Sequence, residues 1–498
     1  MVLVFGRYVL VAPFAPSQGV MENGDLDLEQ LDNDLLYLID TKKPNSPAIS
    51  KELKTWNPRS GKFNKVFYPS RVVFDPSSNN VCVRGTKFEE NNDTIEAIDV
   101  IAYVNFSEDT NGKPVFDSNV VLIEIPGVTT PHTSDAPLDF AFSSAGDVLV
   151  FTNGASVFSF DLAEGFLQEL NIVDPADFGD NDSISSIDLD STTNILSICR
   201  ERTPVSQTDV VTSSSDLSFY RLNQNGSFQF LKRVNGDSLA GGEALAMDSN
   251  IEIISDPGKA DSELALFVTN RGSLCTVDLH EDGDSATIRR LYNYPELAQA
   301  EPGNASQLTV KYDSSTRIVG IVSSGFSIQI ARPVNGKRRR IARPVNVHIT
   351  SGPAVLAMAK LNKKNKLASV NSFTGDFTEE GGLSNFVRGQ DAQWLISTYS
   401  GKLYSVNLAD DLKDSALEFV GSLGSNVDRI DYYSDRSSIV AINSFTPDEE
   451  GIRMASRGSL VVARITESTG ALVQALLPTA SALTKPGASI RRPCNVRR

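Results

Sequence analysis

Five groups of polar residues carry the types that binding or catalysis needs. The segment DPADFGDND places Asp174, Asp177, Asp180 and Asp182 within nine residues, and four carboxylates offer enough oxygen for a hard cation such as Ca2+. Their spacing departs from the D-x-D-x-D-G of an EF-hand loop, so the ordinary reading is an acidic connection and no other cofactor is expected. Three runs mix charges of both signs: RGTKFEENNDTIEAI from Arg84, RERTPVSQTDVVTSSS from Arg200 and SFTPDEEGIRMASRG from Ser444. They carry Arg84, Glu89, Glu90, Arg200, Glu201, Arg202, Glu449, Glu450 and Arg453, and with SDPGKADSE (from Ser255) they read as long second-to-third-strand loops. On one face they would make a mixed-charge surface suited to a protein partner or a polar ligand; the competing reading is a solvated rim.

The fifth group is IARPVNGKRRRIARPVN, in which IARPVN occurs twice around Lys337, Arg338, Arg339 and Arg340. Asn335-Gly336 supplies the positive φ angles of a type I′ turn, so the duplication reads as a β-hairpin. Pro333 and Pro344 cannot donate to a ladder, which points to the outer edge of a sheet, where proline and basic residues discourage edge-to-edge pairing. Docking of an acidic partner or a nuclear-type basic signal are the functional alternatives.

Catalytic types are scarce. The chain has three histidines, His132, His280 and His348, and general-base and metal chemistry lean on imidazole. There is no G-x-S-x-G elbow, Walker loop or HExxH helix. Four cysteines, Cys82, Cys199, Cys275 and Cys494, follow no zinc spacing, and the first three sit in apolar runs as buried thiols. Free thiols weigh against a disulfide-built secreted protein, while large all-β domains need no disulfides and are compatible with the outside of a cell.

The whole chain of 498 residues has a formal net charge of -16 and a pI near 4.8. Phosphate neutralisation wants Lys and Arg in excess, which argues against a nucleic-acid-binding surface over the whole molecule. No apolar run is long enough for a membrane-spanning helix. The start, MVLVFGRYVLVAPFAP, lacks a basic leader and is interrupted by Arg7, so it reads as strand rather than signal peptide. Five N-x-S/T sequons, at Asn92, Asn105, Asn181, Asn225 and Asn304, are what composition alone would produce.

What must position these groups is a repeat. VVFDPSSNNVCV, FAFSSAGDVLVF, IDLDSTTNILSI, ALAMDSNIEII, VKYDSSTRIVGI, NFVRGQDAQWLIS and DYYSDRSSIVAI each join two apolar strands by a polar turn. Asp and Ser accept backbone N–H groups in such turns, and Asn and Gly tolerate positive φ. FTNGASVFSFDL, FVTNRGSLCTVDL, STYSGKLYSVNL and SRGSLVVARI follow as a strand, a Gly-bearing turn and a strand; a fourth strand comes after a further polar turn. Four antiparallel strands recur at roughly 45 to 75 residues, the range of a propeller blade with variable loops. A two-sheet sandwich would not need that signature repeated.

FVTN..GSLCTVDL and FTNGASVFSFDL resemble the repeats of the YVTN and lactonase-like seven-bladed propellers. The resemblance implies an all-β propeller of four-stranded antiparallel blades, and lactone ring-opening or ring-closing in a central channel, although no residue here matches a catalytic motif of that group. The expected architecture is one propeller over 1–477 with a basic tail at 478–498. Seven blades are expected, with residues 1–57 completing a blade, and eight are the alternative if those residues form their own; 352–383 reads as an insertion or an irregular half-blade. A non-enzymatic binding or assembly module at a cell surface or in an extracytoplasmic space is the leading functional expectation, and a lactonase- or cyclase-like enzyme the alternative.

Overall fold

The computed structural model describes residues 2–5, 8–11, 35–40, 48–58, 61–75, 79–91, 94–126, 140–170, 183–201, 215–234, 251–255, 263–269, 271–280, 288–297, 308–330, 347–374, 377, 382–388, 393–423, 427–433, 438–443, 459–465 and 472–476. Strands dominate them. The first sheet holds β1 (Val2–Phe5), β2 (Tyr8–Val11), β3 (Leu35–Asp40) and β4 (Ile49–Glu52), followed by a small hairpin of β5 (Lys54–Asn57) and β6 (Lys62–Lys65). The second holds β7 (Phe67–Asp75), β8 (Asn80–Asn91), β9 (Thr94–Glu108) and β10 (Pro114–Phe116), with β11 (Val121–Glu124) also paired to β9. The third runs β12 (Phe140–Phe142), β13 (Val148–Thr152), β14 (Val157–Asp161), β15 (Phe166–Glu169), and the fourth β16 (Ser183–Asp190), β17 (Ile195–Glu201), β18 (Ser215–Leu222), β19 (Phe228–Val234). The fifth runs β20 (Glu252–Ser255), β21 (Glu263–Val268), β22 (Ser273–Asp278), β23 (Ile288–Asn293), and the sixth β24 (Leu308–Asp313), β25 (Ile318–Ile330), β26 (Val347–Leu361), β27 (Leu367–Phe373). The seventh has β28 (Leu383–Arg388), β29 (Trp394–Thr398), β30 (Lys402–Asn407), β31 (Ala416–Ser422), and the eighth β32 (Val427–Tyr433), β33 (Ser438–Asn443), β34 (Ser459–Ile465), β35 (Leu472–Leu476).

Every sheet is an antiparallel meander in chain order, and the first strands of neighbouring sheets lie side by side: β1 beside β7, β7 beside β12, β12 beside β16, β20 beside β24, β28 beside β32 and β32 beside β1. That arrangement is a β-propeller. Residues 1–57 contribute a sheet of their own, the premise of the eight-bladed alternative.

The alternation of side chains explains why the sheets stack. A strand buried on both faces reads as a continuous apolar run, and β13 does so: Val148 and Val150 pack toward the fourth sheet, Leu149 and Phe151 toward the second. Six apolar clusters recur in this way, each shared by two consecutive sheets from the first pair to the sixth and seventh. In the last of these Trp394 stacks on Phe386 at 5.3 Å.

Turn chemistry follows the repeat. Asp190 Oδ1 accepts the Thr192 and Thr193 N–H groups at 2.8 Å, and Asn194 closes that turn at φ 56. In the Gly-bearing turns the preceding threonine is fully buried, and Thr269 Oγ1 accepts the Ser273 N–H at 3.1 Å. Gly272 sits there at φ +77, where a Cβ would lie 2.1 Å from the Tyr294 carbonyl. Gly272→Ala is therefore expected to cost about 2 kcal/mol, from left-handed strain and the clash together; chemical denaturation checks this, and an unchanged midpoint would contradict it.

Four sequence expectations are corrected. In ALAMDSNIEII the strand Glu252–Ser255 is the first of its sheet, not the second: it pairs forward with β21, Ser255 against Glu263, because ELALFV offers a buried apolar partner. Residues 256–262 thus join first and second strands. The run from Arg84 is no loop, since β8 and β9 pair as far as Asn91 against Thr94. The two IARPVN copies, 330–335 and 341–346, fall at the connection between the second and third strands of their sheet, β25 and β26. These are the inner pair of their sheet, so the outer-edge placement fails; Pro333 and Pro344 lie in 331–346, outside the described residues. Finally, 352–383 holds most of β26 and all of β27, ordinary members of the sixth sheet.

Candidate functional site: the second-to-third-strand face

Two strand pairs outgrow their sheets. The last partners of β8 and β9 on their neighbours are Thr86, opposite Phe67, and Val100, opposite Glu124. The β8–β9 ladder continues from Lys87 against Ile98 to Asn91 against Thr94. Likewise β24 ends its pairing with β25 at Ser323 and β27 its pairing with β26 at Leu356, while β25 and β26 stay paired to Ile330 against Val347. Each is a two-stranded ribbon on a second-to-third-strand connection. In a ring of like-oriented meanders all such connections leave by one face, and first-to-second and third-to-fourth turns leave by the other.

The predicted site residues separate accordingly. Arg84 is not a rim residue: it is 1% exposed, donates through NH1 to the Thr152 carbonyl of the next sheet at 2.9 Å and pairs through NH2 with Asp99 at 3.4 Å. A lone charge in the apolar run VCVRG is the signature of such a buried pair. Glu89 lies on the β8–β9 ribbon and binds Lys87, which also binds Glu124. Glu90 takes the next position of the same strand. Arg200 is buried in β17 and Glu201 ends that strand. Arg202, Glu449, Glu450, Arg453, the basic Lys337, Arg338, Arg339 and Arg340, the acidic Asp174, Asp177, Asp180 and Asp182, and His132 fall outside the described residues. His348 is in the β25–β26 ribbon opposite Gln329, and His280 meets Glu263 on the other face.

Sequence reasoning missed Lys87 and the inner acidic group. Lys87 is 3% exposed; burial works against its charge, and the bonds to Glu124 and Glu89 outweigh that and hold its pKa above the ordinary lysine range. Glu252 opens the first strand of its sheet, and its carboxyl is pushed up to about 8 by burial and then by Asp188, with Asp190 adding to the effect and Lys311 and the Tyr312 N–H opposing it. Lys311 in turn donates to the Phe386 carbonyl at 2.9 Å. The signal was a Glu at the head of an apolar strand, masked by placing that strand second in its blade.

Several buried or half-buried polar groups among the described residues join one sheet to the next. Ser159 Oγ donates to the Gly226 carbonyl at 2.7 Å, Tyr294 Oη to the Met358 carbonyl at 2.8 Å, and Arg388 pairs with Asp313 at 2.8 Å. Burial raises the Cys82 thiol well above the ordinary range, which removes its nucleophilic thiolate at neutral pH. No group of His, Cys, Asp and Glu among the described residues could hold a metal ion, and no described helix is long and apolar enough to cross a membrane.

No family model and no curated protein matches the chain. Among solved structures it is similar to a eukaryotic initiation factor, with 10% identity over 94% of this chain and 89% of that one at a TM-score of 0.40. It is also similar to the C-terminal WD40 domain of Sif2, with 10% identity over 82% and 87% at 0.40. A putative 6-phosphogluconolactonase from Bacteroides fragilis shows 11% identity over 80% and 95%, again at 0.40. Likeness at this level says nothing about activity.

Proposed function

We propose that this propeller is a non-enzymatic binding or assembly module that engages a protein partner through the face carrying the β8–β9 and β25–β26 ribbons. The observation that carries the reading is the ribbons themselves, two strand pairs that stay paired with each other past the last ladder partner their sheets provide. The diversion of Arg84, Arg388, Lys311 and Tyr294 into sheet-to-sheet bonds supports a rigid platform rather than a catalyst. The reading extends to a cell-surface or extracytoplasmic location, which the buried thiols do not oppose.

The test replaces 88–97 by Asn-Gly, which rejoins Lys87 and Ile98 in register, and compares capture of partners from the native source by quantitative mass spectrometry. Loss of a partner by about tenfold or more, equivalent to ~1.4 kcal/mol, with an unchanged melting temperature is expected. Undiminished capture would refute it. Replacing Lys337, Arg338, Arg339 and Arg340 together by Ser is expected to change stability by no more than about 0.5 kcal/mol. If the partner's contact surface is acidic, the same change weakens association at low salt and hardly at all at about 1 M.

A second reading, a lactonase-like enzyme, rests on Glu252, whose raised pKa makes it a proton donor at neutral pH beside the carboxylate of Asp188. Turnover of any member of a lactone panel, abolished by Glu252→Gln, would favour it; turnover absent or indifferent to that change sinks it.

A further inference from the structure

Among the five sequons, two have a described acceptor asparagine, and the fold treats them oppositely. Asn105 lies within β9, and its amide donates to Asn80 Oδ1 at 2.8 Å, in a network that also receives the Tyr103 hydroxyl at 2.9 Å. The next residue, Phe106, is a core residue at 3% exposure. A sugar on that nitrogen would break the network and part the strands. Asn225 stands instead at the exposed β18–β19 turn. Its Oδ1 accepts the Ser227 N–H at 3.1 Å and the Ser227 hydroxyl at 2.5 Å, and its Nδ2 has no partner among the described residues. The turn is pinned from below, because Ser159 Oγ donates to the Gly226 carbonyl and Gly226 holds φ +77.

We propose that Asn225 is an N-glycan acceptor, occupied when the chain passes through a secretory compartment. The inference rests on the extracytoplasmic placement, not on the partner. In the transfer, Asn225 Nδ2 forms a bond to the anomeric carbon of a lipid-diphosphate-linked oligosaccharide. The bond from that carbon to the phosphate oxygen breaks, the diphosphate leaves with the electron pair, and the amide nitrogen loses one proton to a base of the transferase. Ser227 supplies the hydroxyl that such transferases require two positions on. The glycan leaves by a third-to-fourth-strand turn, hence by the face opposite the ribbons, and so shields one side of the ring while the proposed docking side stays clear.

The full chain, given a cleavable secretion leader, is expressed in a eukaryotic host, and the secreted protein is treated with peptide N-glycanase in heavy-oxygen water before peptide mapping. The Asn225 peptide is expected to carry the label and the Asn105 peptide to lack it. N225Q and S227A should each remove one glycan without moving the melting temperature. Translation with microsomes reads the same shift in mobility if secretion is poor. An unlabelled Asn225, or a labelled Asn105 in folded protein, overturns the inference. Capture of the partner should be the same for N225Q and wild type, so a failed partner reading leaves this result standing.

Discussion

Replacing Arg84 by alanine is expected to lower stability by about 3–5 kcal/mol, the cost of removing one member of a buried ion pair. The guanidinium is 1% exposed, ties β8 to the Thr152 carbonyl of the third sheet at 2.9 Å and faces Asp99 at 3.4 Å. Its loss takes the cationic partner from a carboxylate that is itself mostly buried and that also accepts from the Thr86 hydroxyl at 3.4 Å. Unlike a surface pair, the effect should persist at high salt. A combined Arg84→Met and Asp99→Leu exchange should recover most of the loss, because no unpaired charge remains. Urea midpoints measure all three variants; an alanine variant within about 0.5 kcal/mol of wild type, the usual surface range, would show that Arg84 is solvated and that the second and third sheets are not joined through it.

Glu252→Gln is expected to flatten the dependence of stability on pH. The native carboxyl titrates at about 8 against 4.5 for the free group. Between those values the native state holds a proton that the unfolded chain has released, so stability is complete below 4.5 and falls as pH rises toward 8. Glutamine resembles the protonated form and cannot lose it. The two proteins should therefore match near pH 4.5 and diverge above it, with the variant the more stable by on the order of a few kcal/mol at pH 9. Denaturation across that range checks the sign as well as the size; parallel profiles would mean that Asp188 and burial do not act on Glu252 as the fold requires.

Strand alternation and turn chemistry made the meanders readable before any coordinates. VLVFT and WLIST are apolar on both faces because each lies between two sheets, and Asp190 with Asn194 closes its turn as its residue types require. Spatial consequences were less accessible. Pairing as far as Asn91 against Thr94 makes a charged run into a ribbon, where polarity alone suggests a loop. Arg84 looked like a rim residue because its partners, Asp99 and Thr152, lie 15 and 68 positions away. The strand at Glu252 was displaced by one place in its blade because an Asp-Ser-Asn turn signal precedes it, while the pairing was decided by the longer buried run that follows.

The claim that the second-to-third-strand face is the docking face is tested most directly by hydrogen–deuterium exchange of the full chain with and without its captured partner. Amides of β8 and β9 beyond Thr86, and of β25 and β26 beyond Ser324, belong to ribbons with no third paired strand and should exchange more readily than the ring strands in the free protein. Binding is expected to slow them and to leave the opposite turns, 161–165 and 223–227, unchanged. Protection confined to those opposite turns, with both ribbons exchanging as before, would contradict the account.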